Sequence, residues 1–290
     1  MQVEFRRVFK SFRHNGGTVE VLRDLSLTVA AGEFVCLVGP TGCGKSTVIH
    51  LIAGLERPDR GQVLVDGKPV TGPDPSRSVV FQDAALFPWL TVQGNVEFGL
   101  RMAGLDGRKR RERALEYLRL VHLSRFTHAY PHQLSGGMKQ RVAIARALAL
   151  QPAVLLMDEP FAALDAQTRA VLQNELLEIW ELARPTIFFV THNVREATGL
   201  ADRVYVASSR PSQLRDVERI SLPRPRHAED PALLAHQHRI LGFLGEEIEK
   251  VLRDELGEQV HFPEAQHETP PARPGASEGR TGEHRRGMHI

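Results

Sequence analysis

Gly39-Pro40-Thr41-Gly42-Cys43-Gly44-Lys45-Ser46-Thr47 carries the spacing G-x-x-x-x-G-K-[ST], the P-loop pattern, and its flanks suit it. Upstream, Phe34-Val35-Cys36-Leu37-Val38 is a short apolar run that reads as a buried strand. Downstream, Val48-Ile49-His50-Leu51-Ile52-Ala53 has helical composition and stops at Gly54. Between a strand and a helix, the glycines let successive backbone N–H groups curl around phosphate oxygens, and the helix N-terminus adds its partial positive charge. Lys45 then reaches the outer phosphates, and the Ser46 hydroxyl reaches Mg²⁺. The stretch predicts a nucleoside triphosphate site.

Working outward, residues 1–33 alternate apolar and polar positions, as in Val21-Leu22-Arg23-Asp24-Leu25-Ser26-Leu27, and read as antiparallel strands. Gln62 to Gly67 and Ser78 to Phe81 read as further strands, the second ending at Gln82. From about 91 to 150 helical patterns replace them: a charged helix from Arg108 to Leu120, a break at Pro131, and a second helix from Gly136 to Leu150. Apolar strand runs return at Ala153 to Met157, Thr186 to Val190 and Arg203 to Ala207, with a helix near 166–182. Alternating strands and helices predict an α/β fold: a parallel-sheet core with crossover helices, an antiparallel β subdomain and an inserted α-helical subdomain at about 84–152. That domain spans 1–224. Residues 225–257 read as a helical extension, from the spacing of Leu233, Leu234, Ile240, Leu241, Leu244 and Ile248. Pro, Gly, Glu, Arg and His dominate 258–290, which predicts a disordered tail.

With 290 residues, 42% hydrophobic and 25% charged, the chain has the composition of a soluble globular protein. A net charge of +2 is too small to imply a nucleic-acid partner, and none is expected. The run Gly107-Arg108-Lys109-Arg110-Arg111-Glu112-Arg113 reads as a solvated helix face. No apolar run approaches the ~18 residues of a spanning helix, and the first residues lack the apolar core of a signal peptide. Cys36 and Cys43, one in a strand and one in the phosphate loop, make no plausible disulfide, which fits a reducing compartment. A cytosolic protein is expected.

A phosphate loop needs a carboxylate for its metal, and Val154-Leu155-Leu156-Met157-Asp158-Glu159 supplies apolar strand residues followed by two acids. Asp158 is expected to hold Mg²⁺ at the carboxyl end of a central strand. Glu159, beside it, is placed to polarise a water for in-line attack on the γ-phosphate. Leu134-Ser135-Gly136-Gly137-Met138 offers a second anion site, a capping hydroxyl and two glycine N–H groups at a helix start.

With that stretch the chain resembles the ATPase subunits of ATP-binding-cassette (ABC) transporters, whose signature is LSGGQ; Met138 stands at its last position. The resemblance covers about residues 2–255 and implies the P-loop NTPase (RecA-like) fold, ATP and Mg²⁺ as ligands, and ATP hydrolysis coupled to transport. It also implies a head-to-tail homodimer in which Ser135, Gly136 and Gly137 of one copy close over the ATP held by the other's Gly39 to Thr47. By the same resemblance Gln82 contacts Mg²⁺ and the attacking water, and Asp165, in Phe161-Ala162-Ala163-Leu164-Asp165, lies at the dimer interface. His192 touches the γ-phosphate, and Phe12 stacks on adenine, with Phe5 and Phe9 as competing aromatics nearby. Asn193 and Ala162 depart from the family's common residues without removing a group the chemistry requires.

Ala85-Leu86-Phe87-Pro88-Trp89-Leu90-Thr91-Val92 is an apolar run in a loop and needs either a core or a partner surface. In the family this region receives the transmembrane subunit, so a permease is expected near Phe87 to Leu90. This run, with Ala129 to Met138 and Leu222-Pro223-Arg224-Pro225-Arg226, looks like the nitrate/sulfonate/taurine branch of bacterial importers. The resemblance then implies a peripheral protein on the cytoplasmic face of the inner membrane, served indirectly by a periplasmic or extracellular substrate-binding protein. The alternative is a soluble, non-transport ABC ATPase acting on nucleic acid or ribosomes. Such chains commonly carry two cassettes or coiled-coil insertions, which this sequence lacks.

Overall fold

The computed structural model describes residues 1–256 apart from 15 and 163, so the expected disordered tail at 258–290 lies outside the described residues. Strand β3 (Phe34–Val38) is the axis of the molecule. Its residues alternate between two cores: Phe34, Cys36 and Val38 pack on one side, Val35 and Leu37 on the other. The same alternation holds in β7 (Val154–Asp158) and β8 (Thr186–Val190), where Leu155, Met157, Ile187 and Phe189 face one core and Val154, Leu156, Phe188 and Val190 face the other. Both faces are buried, which is why these runs are continuously apolar and why their pairing is parallel.

Around them a six-stranded sheet runs in the order β10-β9-β3-β8-β7-β6, with β6 (Arg77–Val80), β9 (Arg203–Ala207) and β10 (Leu214–Arg219). All its pairs are parallel except β9 with β10. A second, antiparallel sheet has the order β2-β1-β4-β5, built from β1 (Val3–His14), β2 (Gly17–Val29), β4 (Arg60–Val65) and β5 (Lys68–Pro69). Helix α1 (Lys45–Ala53) lies in the core shared by the two sheets, through Val48, Ile49, Leu51 and Ile52.

Helices α2 (Val92–Met102), α3 (Gly107–Leu120) and α4 (Gly136–Ala149) follow β6 and bury a third core of their own, including Val96, Leu100, Leu118 and Val142. Each starts on an oxygen cap: Thr91 accepts from Gly94 N, Asp106 from Arg108 N and Lys109 N, and Ser135 from Met138 N. The basic run on α3 is a solvated face, where Arg108 pairs with Glu112 and Arg110 with Glu97. Helix α5 (Ala166–Ala183) crosses between β7 and β8.

Two elements depart from the sequence reading. Helix α6 (Val194–Leu200) has seven residues, too few for a periodic signal, and is set by Asn193, whose Oδ1 accepts from Arg195 N and Glu196 N. Strand β10 is an edge strand with half-exposed and exposed residues alternating, so its apolar content is low. Helix α7 (Pro231–Leu256) does not stand apart: Leu233, Ile240 and Leu244 enter the core that contains Phe34 and Phe189. Among the described residues no helix is long and apolar enough to cross a membrane.

Candidate active site

The carboxyl ends of β3, β7 and β8 open into a cleft of about 570 Å³, where parallel sheets present their ligands. The phosphate loop forms its floor. Gly44 has φ 110°, and a Cβ there would stand 2.6 Å from Val21 Cγ1, so only glycine lets the loop turn under β2. Thr41, Gly42, Gly44, Lys45, Ser46 and Thr47 all line the cleft. Gly39 lies where a Cβ would meet Cys43 Sγ at 2.9 Å, and the buried Cys43 thiol is pushed up by its burial. Pro40 closes the loop's first turn, its carbonyl accepting from Cys43 N.

Lys45 decides the electrostatics of this floor. Its ammonium is buried and donates to the Gly39 and Pro40 carbonyls, each at 3.0 Å, while Glu159 Oε1 stands at 3.9 Å. A buried cation with two neutral acceptors and one distant carboxylate is under-compensated. An anionic ligand against the exposed backbone N–H groups fits that imbalance.

Asp158 and Glu159 follow one another at the end of β7 and differ in environment. Asp158 is buried, and burial pushes its carboxyl above the ordinary value against the pull of a hydrogen bond with Ser46. Ser46 and Asp158 thus form a pair of oxygen donors at the head of α1. Mg²⁺ commonly takes one or two protein ligands and fills its octahedron with water and phosphate, so this donor set fits it.

Glu159 turns out of the strand with φ 44°, a left-handed conformation for a non-glycine residue, and its N–H is held by the Val190 carbonyl at 2.9 Å. Its Oε2 is 2.8 Å from His192 Nδ1, so the carboxylate accepts from a ring protonated at that nitrogen. Thr191 secures the histidine's loop: its hydroxyl donates to Glu196 Oε2 at 2.7 Å and accepts from Asn193 N at 3.0 Å. Asn193 keeps the N-cap that an aspartate would supply, so that departure costs the local structure nothing.

Gln82 and Phe12 border the same cleft. The competing aromatics lie elsewhere: Phe5 is in the core, and the Phe9 ring lies under Arg60. The Lys10 ammonium stands 4.9 Å from the Phe12 ring centroid.

Ser135, Gly136, Gly137 and Asp165 are not among the residues of this cleft. Ser135 caps α4 and Asp165 caps α5, accepting from Thr168 N at 2.9 Å, and that bond holds the Asp165 carboxyl below its ordinary value. The two caps adjoin, since a Cβ on Gly137 would stand 2.8 Å from Thr168 Cγ2. Within one chain, then, the sequence-predicted residues form two groups.

Three polar residues with no role assigned from the sequence hold the segment from Phe81 to Thr91 in place. Gln140, buried on α4, donates to the Phe81 carbonyl just before Gln82 at 3.3 Å. Arg146, one face further along α4, donates to the Ala84 and Ala85 carbonyls at 2.8 Å each. Asn95, fully buried on α2, accepts from Phe87 N and donates to the carbonyls of Phe87, Leu90 and Thr91. The apolar loop is thereby pinned from beneath, with Phe87 packed on Phe98 and Trp89 left 71% exposed. None of the three has a sequence signal, because each partner is a backbone group, distant in sequence for Gln140 and Arg146 and within eight residues for Asn95, that no motif marks. Arg210 also lines the cleft from outside every motif.

A wider groove, about 800 Å³, lies at the amino ends of β3 and β9, among Glu33, Asp202 and Arg203. There Arg203 is paired with Glu33 and Asp202 with Arg224, and the groove lies at the opposite end of β3 from the phosphate loop.

Comparison with known proteins agrees with the cleft. The ABC transporter family model matches residues 22–162. A nitrate import ATP-binding protein of Synechocystis is 49% identical over 223 residues, covering 77% of this chain and 84% of that protein. An aliphatic sulfonates import ATP-binding protein of Bacillus cereus is 41% identical over 241 residues, covering 83% and 95%. Among solved structures, a dimeric ATP-binding cassette bound to ADP and phosphate superposes with a TM-score of 0.69 at 33% identity, covering 76% of this chain and all of that one. The chain belongs to the ABC transporter family and is one of its ATP-binding, ATP-hydrolysing subunits.

Proposed function

We propose that this chain is the energy-coupling ATPase of an import system for a small oxyanion of the nitrate or sulfonate class. It would sit on the cytoplasmic face of the membrane as a homodimer beneath a permease that is fed by a substrate-binding protein. The observation that carries the reading is the convergence of Lys45, Ser46, Glu159 and His192 on one cleft at the sheet's carboxyl edge, with the buried Asp158 hydrogen-bonded to Ser46 beside it. The names of the nitrate and sulfonate relatives supply the direction of transport and the substrate class.

In this reading the residues divide the work as follows. The N–H groups of Gly42 to Thr47 and the Lys45 ammonium bind the outer phosphates, while Phe12 stacks on the base. Ser46, Asp158 and Gln82 hold Mg²⁺, which when bound neutralises charge on the triphosphate. Glu159 orients the attacking water and takes its proton, and His192, held at Nδ1 by Glu159, presents Nε2 towards the γ-phosphate. Ser135, Gly136, Gly137 and Asp165 serve the cleft of the second copy. The pinned loop from Phe87 to Leu90 receives the permease. Residues 1–224 would form the ATPase domain, with 84–152 its helical lobe and 225–257 its extension.

Replacing the wild-type chain by Glu159→Gln in cells tests the reading. Uptake of labelled nitrate or an alkanesulfonate should stop while the variant accumulates normally. Unchanged uptake of both classes would reject the importer assignment.

A further inference from the structure

Strand β9 ends at Ala207, and the turn that follows, residues 208–213, runs along the phosphate loop. Ala207 Cβ lies 3.1 Å from where a Cβ on Gly39 would be, and the Ser212 hydroxyl bonds to Cys43. Ser212 N donates to the Val21 carbonyl at 2.8 Å, and Arg23 N donates back to the Ser212 carbonyl at 3.0 Å. These bonds fix the turn at Ser212, Ser208 N closes it by donating to the Gln213 carbonyl at 2.9 Å, and Arg210 lies between.

Arg210 Nη2 is 3.3 Å from the position a Cβ on Gly42 would take, and the side chain lines the cleft that holds Lys45, Glu159 and His192. Among the described residues no ion pair involves it. The Arg210 side chain is exposed at a cleft whose floor carries the Lys45 ammonium and the N-terminus of α1, a concentration of positive charge that an anion would offset.

The turn is also gripped from the C-terminal helix. Glu247, on α7 and 2% exposed, accepts from Ser209 N at 2.8 Å and from Ser209 Oγ at 3.0 Å, and its other oxygen pairs with Arg215 Nε at 2.9 Å. A buried carboxylate with three donors immobilises what it binds, here the residue preceding Arg210.

We propose that Arg210 is a second side-chain cation for the phosphates of the bound nucleotide, and that helix α7 sets its place through Glu247. The proposal rests on the triphosphate reading above. Helix α7 thereby becomes part of the nucleotide site's support, with Glu247 a positioning residue.

Calorimetric titration of the full chain with MgATP and with magnesium pyrophosphate, which lacks base and sugar, tests it. Arg210→Gln should weaken both ligands by about tenfold, as expected for loss of a charge-assisted contact, and Arg210→Lys should recover part of that. Glu247→Ala should weaken both by a smaller factor, and the double variant should bind no worse than Arg210→Gln alone, because the two act through one contact. Wild-type affinity in Arg210→Gln, or a loss for MgATP without one for pyrophosphate, overturns the phosphate contact. A Glu247→Ala effect that is absent, or that adds in full to Arg210→Gln, overturns the positioning role. Lys45→Ala marks the difference from the wider reading: if the wild-type chain binds MgATP and Lys45→Ala does not, the triphosphate site stands whatever Arg210 does.

Discussion

A glutamate at φ 44° followed by proline is a costly way to leave a strand, by roughly 1–2 kcal/mol for a side-chain-bearing residue. The neighbourhood of Glu159 over-determines it: the Val190 carbonyl holds its N–H, His192 holds one oxygen, and Lys45 stands near the other. Strain kept at such a place fits a group whose position matters more than its stability. Glu159→Gln should retain MgATP binding and lose steady-state hydrolysis by about 10²–10⁴-fold, the usual contribution of a general base. Turnover within a factor of two of wild type would remove Glu159 from that role. Lys45→Ala should instead weaken nucleotide binding itself, by about tenfold or more, since it deletes a charged phosphate donor; equilibrium titration separates the two variants. These residues were legible in the sequence because phosphate chemistry demands particular types at short, fixed spacing. Arg210 and Gln140 were not, since what makes each matter is a loop or backbone group that only the fold brings near; Asn95 was not, since its partners, four to eight residues back, are backbone groups that no motif marks.

Helix α4 is the element that joins the two functional groups. Its first turn carries Ser135 to Gly137, and its inner face reaches the chain on either side of Gln82, Phe81 through Gln140 and Ala84 through Arg146. Trp89, at the exposed end of that loop, is expected to matter for a partner rather than for folding. Trp89→Ala should leave stability within about 0.5 kcal/mol of wild type, as exposed substitutions do, while reducing co-purification with the permease. A large loss of melting temperature would instead make Trp89 structural. Where α5 meets α4, Glu175 is buried, and burial pushes its carboxyl up against the opposing pull of Arg141 and His122, with Glu178 adding to the rise. An acid with a raised pKa in the folded chain binds more protons there than when unfolded. Its contribution is therefore most favourable below the ordinary value of about 4.3 and is lost as pH rises through the raised one. Melting curves of Glu175→Gln against wild type should show the variant gaining relative stability as pH climbs from about 4, and a flat difference would contradict this. Long elements such as α4 and α5 were readable from their apolar spacing. Strand β10 and helix α6 were not: the one is half exposed at a sheet edge, the other two turns long.

At the scale of the whole molecule, the separation of Ser135, Gly136, Gly137 and Asp165 from the cleft is the central structural fact. One chain carries a phosphate floor and, elsewhere, a helix start capped by Ser135 and led by Gly136 and Gly137; in the reading proposed above, each is half of a site. Two copies related head-to-tail would complete two sites, and the solved ATP-binding cassette that superposes on this chain is itself a dimer. Hydrolysis would weaken the closure by converting the shared triphosphate to diphosphate. The direct test is the mass in solution of Glu159→Gln, measured by light scattering with MgATP and with MgADP. A dimer with MgATP and a monomer with MgADP is the expected result, with Ser135→Phe in the same background abolishing the dimer. A monomer under both conditions, or a dimer indifferent to nucleotide, would contradict the shared site.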